Sequence, residues 1–304
     1  MVIKQYSKAD LRENIDMFCD LYHKVFTASA NREIIEQRYL ENPYDELLMY
    51  VAIDNERIVA NYSAVPIQVV IEGKCHKAAL SLNTMTDPDY AGQGLFSKLA
   101  NALYEYLSNN GYSMIIGFPN FMSNRIFNSR LGWKTIYEIP TLKLSLDSYN
   151  GEIEGEVSSD DFPFEFEDMN DGLIHINLSQ EYIDWRFINN KEKQYQILYE
   201  DKNNWLIYQF YNDEVNLTEI SCIDKEKEKK LIQRIISMGK LKGYNSITTW
   251  SKVNTERHNY LEKVGFRLSA PIRSFGFRCF DKSLEQIVSD YRNWRIQMGD
   301  DNTY

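Results

Sequence analysis

A stretch between residues 80 and 100 combines the residue types that hold a phosphate group. Gly92 and Gly94 follow a strand-like run from Ala79 to Thr86, and glycine lets the backbone turn sharply and approach a ligand without an intervening Cβ. Leucines then recur at helical spacing, at Leu95, Leu99 and Leu103. A strand that leads through a glycine turn into a helix presents free N–H groups to an anion. The stretch therefore predicts a site for a phosphate-bearing ligand.

The elements that must position this turn follow from hydrophobic periodicity and from turn residues. Helices are predicted at 10–25, from Asn31 to before Pro43, from the glycine turn to Asn109, at 123–129 and at 284–294. Strands are predicted at 47–54, 57–64, 66–72, 75–86, 113–118 and 134–144. Antiparallel hairpins followed by a strand–helix–strand unit predict an α/β (α+β) fold.

The second half of the sequence repeats short patterns of the first. The paired segments are 38–42 with 186–190, 111–112 with 243–244, and 131–134 with 264–267. In place of the glycine turn, the second copy has Asp-Lys-Glu-Lys-Glu-Lys-Lys-Leu at 224–231. Without glycine the backbone cannot approach a phosphate closely, so the second copy is predicted to be degenerate. Chance similarity of two short α/β segments is the alternative.

Length and composition agree with two globular domains. A chain of 304 residues favours two domains of about 150 residues each, and the acidic stretch 147–172 is predicted to link them. The predicted domains are therefore 1–147 and 148–304. No apolar run approaches the roughly 20 residues that cross a bilayer, and no apolar signal segment precedes the first helix.

Charge and cysteine usage narrow the predicted environment. The net charge of −10 argues against a nucleic-acid partner. The four cysteines form no CxxC pair, which predicts reduced thiols and a cytoplasmic location. His23 and His76 have no carboxylates at metal-ligand spacing, so no metal is predicted.

The motif from Thr86 to Phe96, together with Gly111-Tyr112 and the stretch from Asn120 to Lys134, resembles the GNAT superfamily of N-acetyltransferases. The resemblance covers about 45–145 and, through the repeat, extends weakly over 175–280. The chain thus resembles a tandem-GNAT protein, similar to bacterial acetyltransferases of polysaccharide and amino-sugar synthesis. This resemblance implies two GNAT-like domains, each a mixed, mostly antiparallel sheet flanked by helices, with acetyl-CoA bound by the first.

The resemblance also implies which residues contact acetyl-CoA. The strand end would pair with the pantetheine arm through its backbone, and the N–H groups of the turn would hold the pyrophosphate. The implied cofactor residues are Met85, Thr86, Tyr90, Ala91, Gly92, Gln93, Gly94, Leu95, Phe96, Asn120, Ser123 and Phe127. Asp89 departs from the family pattern, which has Gln or Arg at that position.

Acetyl transfer to an amine requires a proton acceptor for the amine and, in many family members, a tyrosine that protonates the thiolate. Asn128 stands at the position of that tyrosine, where it could hold a water, and Asn83 could hold a water for the amine. Asn83 and Asn128 are therefore the catalytic candidates. Asn83 could instead satisfy hydrogen bonds at the edge of the sheet. Candidates for substrate binding are Arg38, Asp300 and Asp301. Arg38 could instead form a salt bridge within its own repeat, and Asp300 and Asp301 could instead lie in a disordered, solvated tail.

The leading functional prediction is an acetyl-CoA-dependent N-acetyltransferase acting on a primary amine, with an amino sugar or sugar nucleotide preferred. The alternatives are a non-catalytic CoA-binding or scaffold protein and an acetyltransferase of a polyamine, antibiotic or peptide amine. An aminoacyl transferase that uses charged tRNA would need a basic face, which the acidic composition opposes. The predicted partner is a small-molecule amine, with no nucleic acid or membrane, and the predicted state is a monomer or homodimer.

Overall fold

A computed structural model describes residues 1–26, 31–153, 155, 161, 167, 169 and 171–304. The chain forms two compact units, one of Met1–Tyr137 with Ser274–Arg292 and one of Glu138–Arg273 with Asn293–Tyr304. The chain therefore passes between the units at three points, whereas the sequence predicts one boundary after residue 147. Part of the predicted linker at 147–172 lies outside the described residues.

The helices and strands have the following order along the chain. Up to residue 130 they are β1 (Val2–Gln5), α1 (Lys8–Glu13), α2 (Ile15–Phe26), α3 (Arg32–Tyr39), β2 (Leu48–Asp54), β3 (Arg57–Ile71), β4 (Lys74–Thr86), α4 (Leu95–Asn109), β5 (Met114–Gly117) and α5 (Phe121–Arg130). They continue with β6 (Lys134–Ser145), β7 (His175–Ile176), α6 (Gln180–Ile183), β8 (Tyr195–Asp201), β9 (Asn204–Tyr211), β10 (Glu214–Cys222), α7 (Lys225–Leu241), β11 (Ser246–Trp250), α8 (Glu256–Val264), β12 (Arg267–Cys279) and α9 (Glu285–Val288).

The sheet of the first unit has the strand order β1-β2-β3-β4-β5-β12, with the end of β12 as its last strand. All of its pairs are antiparallel except β4 with β5. Helix α4 packs its leucines, including Leu99 and Leu103, against strands β2 to β5 in a core that also holds Trp133. The sequence prediction of a mixed, mostly antiparallel sheet flanked by helices is confirmed.

The sheet of the second unit has the order β6-β11-β10-β9-β8, and only β10 with β11 is parallel. Helix α7 buries Leu231, Ile235 and Ile236 in the core of this unit. In both units three antiparallel strands are followed by a helix, a strand parallel to the third, a second helix and a final strand. The final strands are exchanged, because β6 pairs with β11 while β12 pairs with β5.

Three predicted elements differ from the structure. Strand β3 is continuous where the sequence predicts two strands, 57–64 and 66–72. Pro66 lies inside it, and because pairing with β2 ends at Ala64, the missing N–H costs no bond to that strand. The helix predicted at 10–25 is interrupted at Asn14, whose side-chain amide donates to the Asp10 carbonyl at 2.8 Å. The helix predicted at 284–294 is one α-helical turn, α9, followed by a 3₁₀ turn at Tyr291–Asn293.

Candidate functional site

Strands β4 and β5 separate at one end and leave a fork in the sheet. Their registered pairs run from Ala78 with Met114 to Leu80 with Ile116, whereas β4 continues to Thr86 alongside β3. The Asp87 N–H donates to the Val59 carbonyl of β3 at 2.8 Å. Because backbone groups alternate in direction along a strand, the N–H and C=O of Thr86 face the edge that β5 has left. An extended ligand can pair with the backbone there.

The glycine turn follows the fork and leaves a row of N–H groups open. Gly92 and Gly94 have φ of 78° and 73°, and a Cβ built on either would meet no atom within 4 Å. Within the described part of the chain, the N–H groups of residues 92–97 have no hydrogen-bond acceptor. Gly94 is the N-cap of α4 and offers no side chain to satisfy them. The turn and the helix start together form a nest of N–H groups, an arrangement that suits an anion.

Aromatic side chains fix the start of α4 behind this nest. Leu95 is buried, and the rings of Phe96 and Phe127 meet edge-on with centroids 5.4 Å apart. The Phe127 ring also lies 4.5 Å from that of Trp133. The Tyr90 hydroxyl donates to Asp54 at 2.9 Å. Phe127 is 5% exposed and lies in the hydrophobic core, so its predicted cofactor contact stays a prediction.

The other predicted cofactor residues lie at the end of β4 and at the start of α5. The Met85 side chain is buried. Asn120 is the N-cap of α5, where its side chain accepts the Ser123 N–H at 2.9 Å. The Ser123 hydroxyl in turn donates to Asn120, so both side chains stabilise the helix start. Ala91 and Gln93 are exposed residues of the turn itself.

Asn83 lies in a β-bulge of β4, near the fork. Two residues of β4 oppose one of β3 there, and Asn83 has a φ of 37°, a left-handed conformation that asparagine tolerates. Its side-chain amide donates to the Tyr39 hydroxyl at 3.1 Å, and its carbonyl accepts from Asn61 at 2.9 Å. Tyr39 and Ser63 share a further hydrogen bond at 2.9 Å. This neutral polar network contains no carboxylate and was not predicted from the sequence, because the spacing of its members carries no pattern.

Asn128 lies on α5, where its amide joins that helix to β6. Its nitrogen donates to the Asn124 side chain at 2.8 Å and to the Thr135 hydroxyl at 2.7 Å. Its oxygen accepts the Thr135 N–H at 3.0 Å. These contacts give Asn128 a structural task, and its predicted catalytic role stays a prediction.

The three predicted substrate-binding residues lie in different environments. Arg38 is buried in the first unit, at 3% exposure. Asp300 is buried in the second unit, where it accepts the Gln297 N–H at 2.7 Å; burial raises the pKa of its carboxyl to about 6, although that N–H and Arg295 oppose the rise. The Oδ2 atom of Asp301 lies 3.9 Å from the Nε atom of Arg273. The segment that carries both acids is packed and is not a solvated tail.

Arg186, the counterpart of Arg38 in the repeat, holds this final segment. Its guanidinium donates to the backbone oxygens of Gly299 at 3.0 Å, Asp301 at 3.1 Å and Tyr304 at 2.6 Å. The side chain of Gln297 enters the second unit's own fork, where its oxygen accepts the Ile220 N–H of β10 at 2.8 Å. The second fork is therefore occupied by the chain itself.

Residues 3–136 match the acetyltransferase (GNAT) domain family. This part of the chain is similar to a GNAT acetyltransferase domain. The match spans the fork, the glycine turn and both flanking helices, so the prediction of an acetyltransferase is confirmed. The match ends before the second unit, and the chain matches none of the curated proteins by sequence.

Solved structures extend the likeness in fold beyond the GNAT domain. A conserved Enterococcus faecalis protein described as a probable N-acyltransferase has a TM-score of 0.69 at 14% identity, over 92% of this chain and 73% of its own. A GCN5-related N-acetyltransferase from Anabaena variabilis has a TM-score of 0.68 at 12% identity, over 92% of this chain and 72% of its own. Eis1 from Mycobacterium abscessus has a TM-score of 0.60 at 11% identity, over 92% of this chain and 74% of its own. At these identities the likeness shows the fold alone.

The described residues contain no group of three or more His, Cys, Asp or Glu side chains arranged to hold a metal ion. They also contain no helix that combines the length and the apolar character needed to cross a membrane.

Proposed function

We propose that this chain transfers the acetyl group of acetyl-CoA to a primary amine, with acetyl-CoA held by the GNAT domain. The observation that carries the proposal is the row of N–H groups at residues 92–97, which have no acceptor within the described part of the chain. A row of this kind, at the start of a 15-residue helix, suits a diphosphate. When bound, acetyl-CoA supplies a thioester carbonyl that an amine can attack.

The residues around the nest suit the rest of such a donor. The backbone of Thr86 faces the open edge of the fork and can pair with an amide-bearing arm. Gly92 and Gly94 let the backbone approach the phosphates closely, because neither carries a side chain on that side. Asn120 and Ser123 shape the start of α5. The donor site is thus assembled from backbone groups, which keeps it independent of side-chain ionisation.

The acceptor is proposed to be an amino sugar or a sugar nucleotide. This choice rests on the resemblance of the chain to tandem-GNAT enzymes of polysaccharide synthesis, and the shared element order of the two units supports the tandem assignment. Asn83 and the Tyr39 hydroxyl are polar groups on or beside β4 that can orient a water toward the amine. A cytoplasmic location and a monomeric or dimeric state belong to the same proposal.

Thiol release from acetyl-CoA tests this function directly. The purified chain is incubated with acetyl-CoA and a panel of amino sugars, sugar nucleotides, polyamines and peptides, and products are identified by mass spectrometry. Acetylation of an amino sugar or sugar nucleotide with thiol release supports the proposal. CoA binding without turnover on any amine supports the scaffold alternative, and absence of CoA binding contradicts both.

A further inference from the structure

Two carboxylates precede the glycine turn and stand close to the proposed diphosphate site. Asp87 is buried, and its side chain accepts the Asp89 N–H at 3.0 Å, which caps the 3₁₀ turn at Pro88–Tyr90. The Asp89 side chain is 77% exposed. Asp89 precedes Gly92 by three residues, so their Cα atoms are at most about 11 Å apart. At this separation, close to the Debye length at 0.1 M salt, uncompensated carboxylates would repel a diphosphate.

Lys24, in the last turn of α2, contacts both carboxylates. Its ammonium lies 2.7 Å from one oxygen of Asp87 and donates to Asp89 at 2.8 Å. Burial alone would raise the pKa of Asp87, but hydrogen bonds from Lys24 and from the Asp89 N–H lower that pKa below its usual value. The hydrogen bond to Asp87, followed by the one to Asp89, raises the pKa of Lys24. Asp87 and Lys24 are therefore both charged at neutral pH.

Other charged groups surround the contact of Lys24 with Asp87 and Asp89. Lys24 and Asp87 line a cavity of about 100 Å³ together with Asp20 and Arg57. Asp54 adds another carboxylate through its bond to Tyr90, although Met1 partners it through the terminal ammonium. Acids and bases are thus nearly balanced on this side of the turn, where Lys24 contacts both carboxylates of the 3₁₀ turn and Arg57 adds a second positive charge near Asp87.

We propose that Lys24 is a positioning residue for the acyl donor. It offsets the charge of Asp89, the residue that departs from the family pattern, and it ties the turn that leads to Gly92 onto α2. The proposal rests on the proposed use of acetyl-CoA. It explains how an acidic residue is tolerated beside a diphosphate site, and it assigns a role to a residue that no sequence motif marks.

The variant Lys24→Met tests the charge effect. We expect the Kd for CoA and the KM for acetyl-CoA to rise about tenfold at low salt, with kcat unchanged, and the rise to shrink at high salt. With S-acetyl-pantetheine, which has no diphosphate, kcat/KM should not change, whereas a general loss of structure would lower it. Lys24→Arg should retain wild-type affinity. Lys74→Met is the matched control, because Lys74 is exposed and lies 12 residues from Thr86 along β4, roughly 40 Å away.

The variant Asp89→Asn should change the Kd for CoA in the opposite direction, and it keeps the lysine. It should lower the Kd for CoA severalfold, and Lys24→Met with Asp89→Asn should restore a value near that of the wild type. If Lys24→Met binds CoA as the wild type does, or if Asp89→Asn weakens binding, the role of Lys24 is wrong while the proposed function stands. If the wild-type chain binds no CoA, the proposed function fails first.

Discussion

The two units contain the same strand–helix–strand unit, and the starts of their helices differ in chemistry. The N-cap of helix α4 is Gly94, which provides no side-chain cap and leaves the first N–H groups open. The N-cap of helix α7 is Asp224, whose carboxylate accepts the N–H groups of Glu226 at 2.9 Å and Lys227 at 3.2 Å. An N-cap of this kind stabilises a helix by about 1 kcal/mol. The first unit forgoes this stabilisation and keeps N–H groups open for the proposed anion site, whereas the second fills the same position with its own charge.

The forks repeat this contrast. In the second unit the pairs between β10 and β11 end at Leu217 with Thr249, as those between β4 and β5 end at Leu80 with Ile116. Beyond that point the Ile220 N–H donates to Gln297, and the Ile220 carbonyl accepts from Arg257 at 3.3 Å. Among the described residues, the corresponding edge of β4 at Thr86 has no strand partner, because the β5 pairs end at Leu80. A fork that is open in one unit and filled in the other predicts one acetyl-CoA per chain.

The largest expected effect comes from closing the open helix start. Gly92→Glu with Gly94→Glu places two carboxylates on the nest, and CoA affinity should fall roughly 1000-fold, or about 4 kcal/mol. Isothermal titration calorimetry measures the affinity, and circular dichroism checks that the variant is folded. Lys225→Glu, the matched change at the start of α7, should alter CoA affinity less than twofold. Retained binding in the glycine variant would contradict the assignment of the nest.

Loosening the filled fork should affect stability and leave binding unchanged. Arg186→Met removes the donor to three backbone oxygens of the final segment, which would lower the free energy of unfolding by about 3 kcal/mol. Urea denaturation followed by tryptophan fluorescence measures this loss. CoA stoichiometry by calorimetry should stay at one, because Asp224 still caps α7. A stoichiometry of two would show that the second fork becomes a CoA site once its segment is released.

Local signals in the sequence predict the glycine turn and the helix start of the first unit well. The Gly92-Gln-Gly94 pattern and the leucine spacing after it identify the turn and α4, and the hairpins at Asn55-Glu56 and Glu72-Gly73 form where predicted, each with positive φ. The lack of glycine at 224–231 also predicts the different chemistry of α7. These features depend on residues adjacent in the chain, so the sequence alone carries them.

The features that were not predicted depend on contacts between distant residues. Lys24 meets Asp87 across 63 positions, and Gln297 meets Ile220 across 77. The exchange of β6 and β12 is likewise invisible to periodicity, because a strand pattern does not name its neighbour. For the same reason the sequence leaves the roles of Asn83 and Asn128 open, and the structure supplies contacts that make each testable.

Asn83 distinguishes a conformational role from a chemical one at the open fork. Its left-handed backbone suits glycine but strains alanine, so Asn83→Ala should lower the free energy of unfolding by about 1–2 kcal/mol more than Asn83→Gly. Thermal denaturation measures this difference. The kcat of the folded Asn83→Gly variant then tests the catalytic prediction. A fall of more than tenfold supports it, and an unchanged kcat leaves Asn83 as a residue that shapes the bulge.

The smallest expected effect concerns Asn128, at the junction of α5 and β6. Asn128→Ala leaves the Thr135 N–H without its acceptor, in an exposed position where water can replace it, so we expect a loss of about 1 kcal/mol in stability. Since the amide groups of Asn128 already bond Asn124 and Thr135, kcat should change less than twofold. Thr135→Val is the matched control, because it removes the hydroxyl from the same network and keeps the backbone N–H. If Asn128→Ala lowers kcat tenfold while Thr135→Val does not, Asn128 acts on the reaction itself, and the tyrosine position of the family has kept a chemical role in this chain.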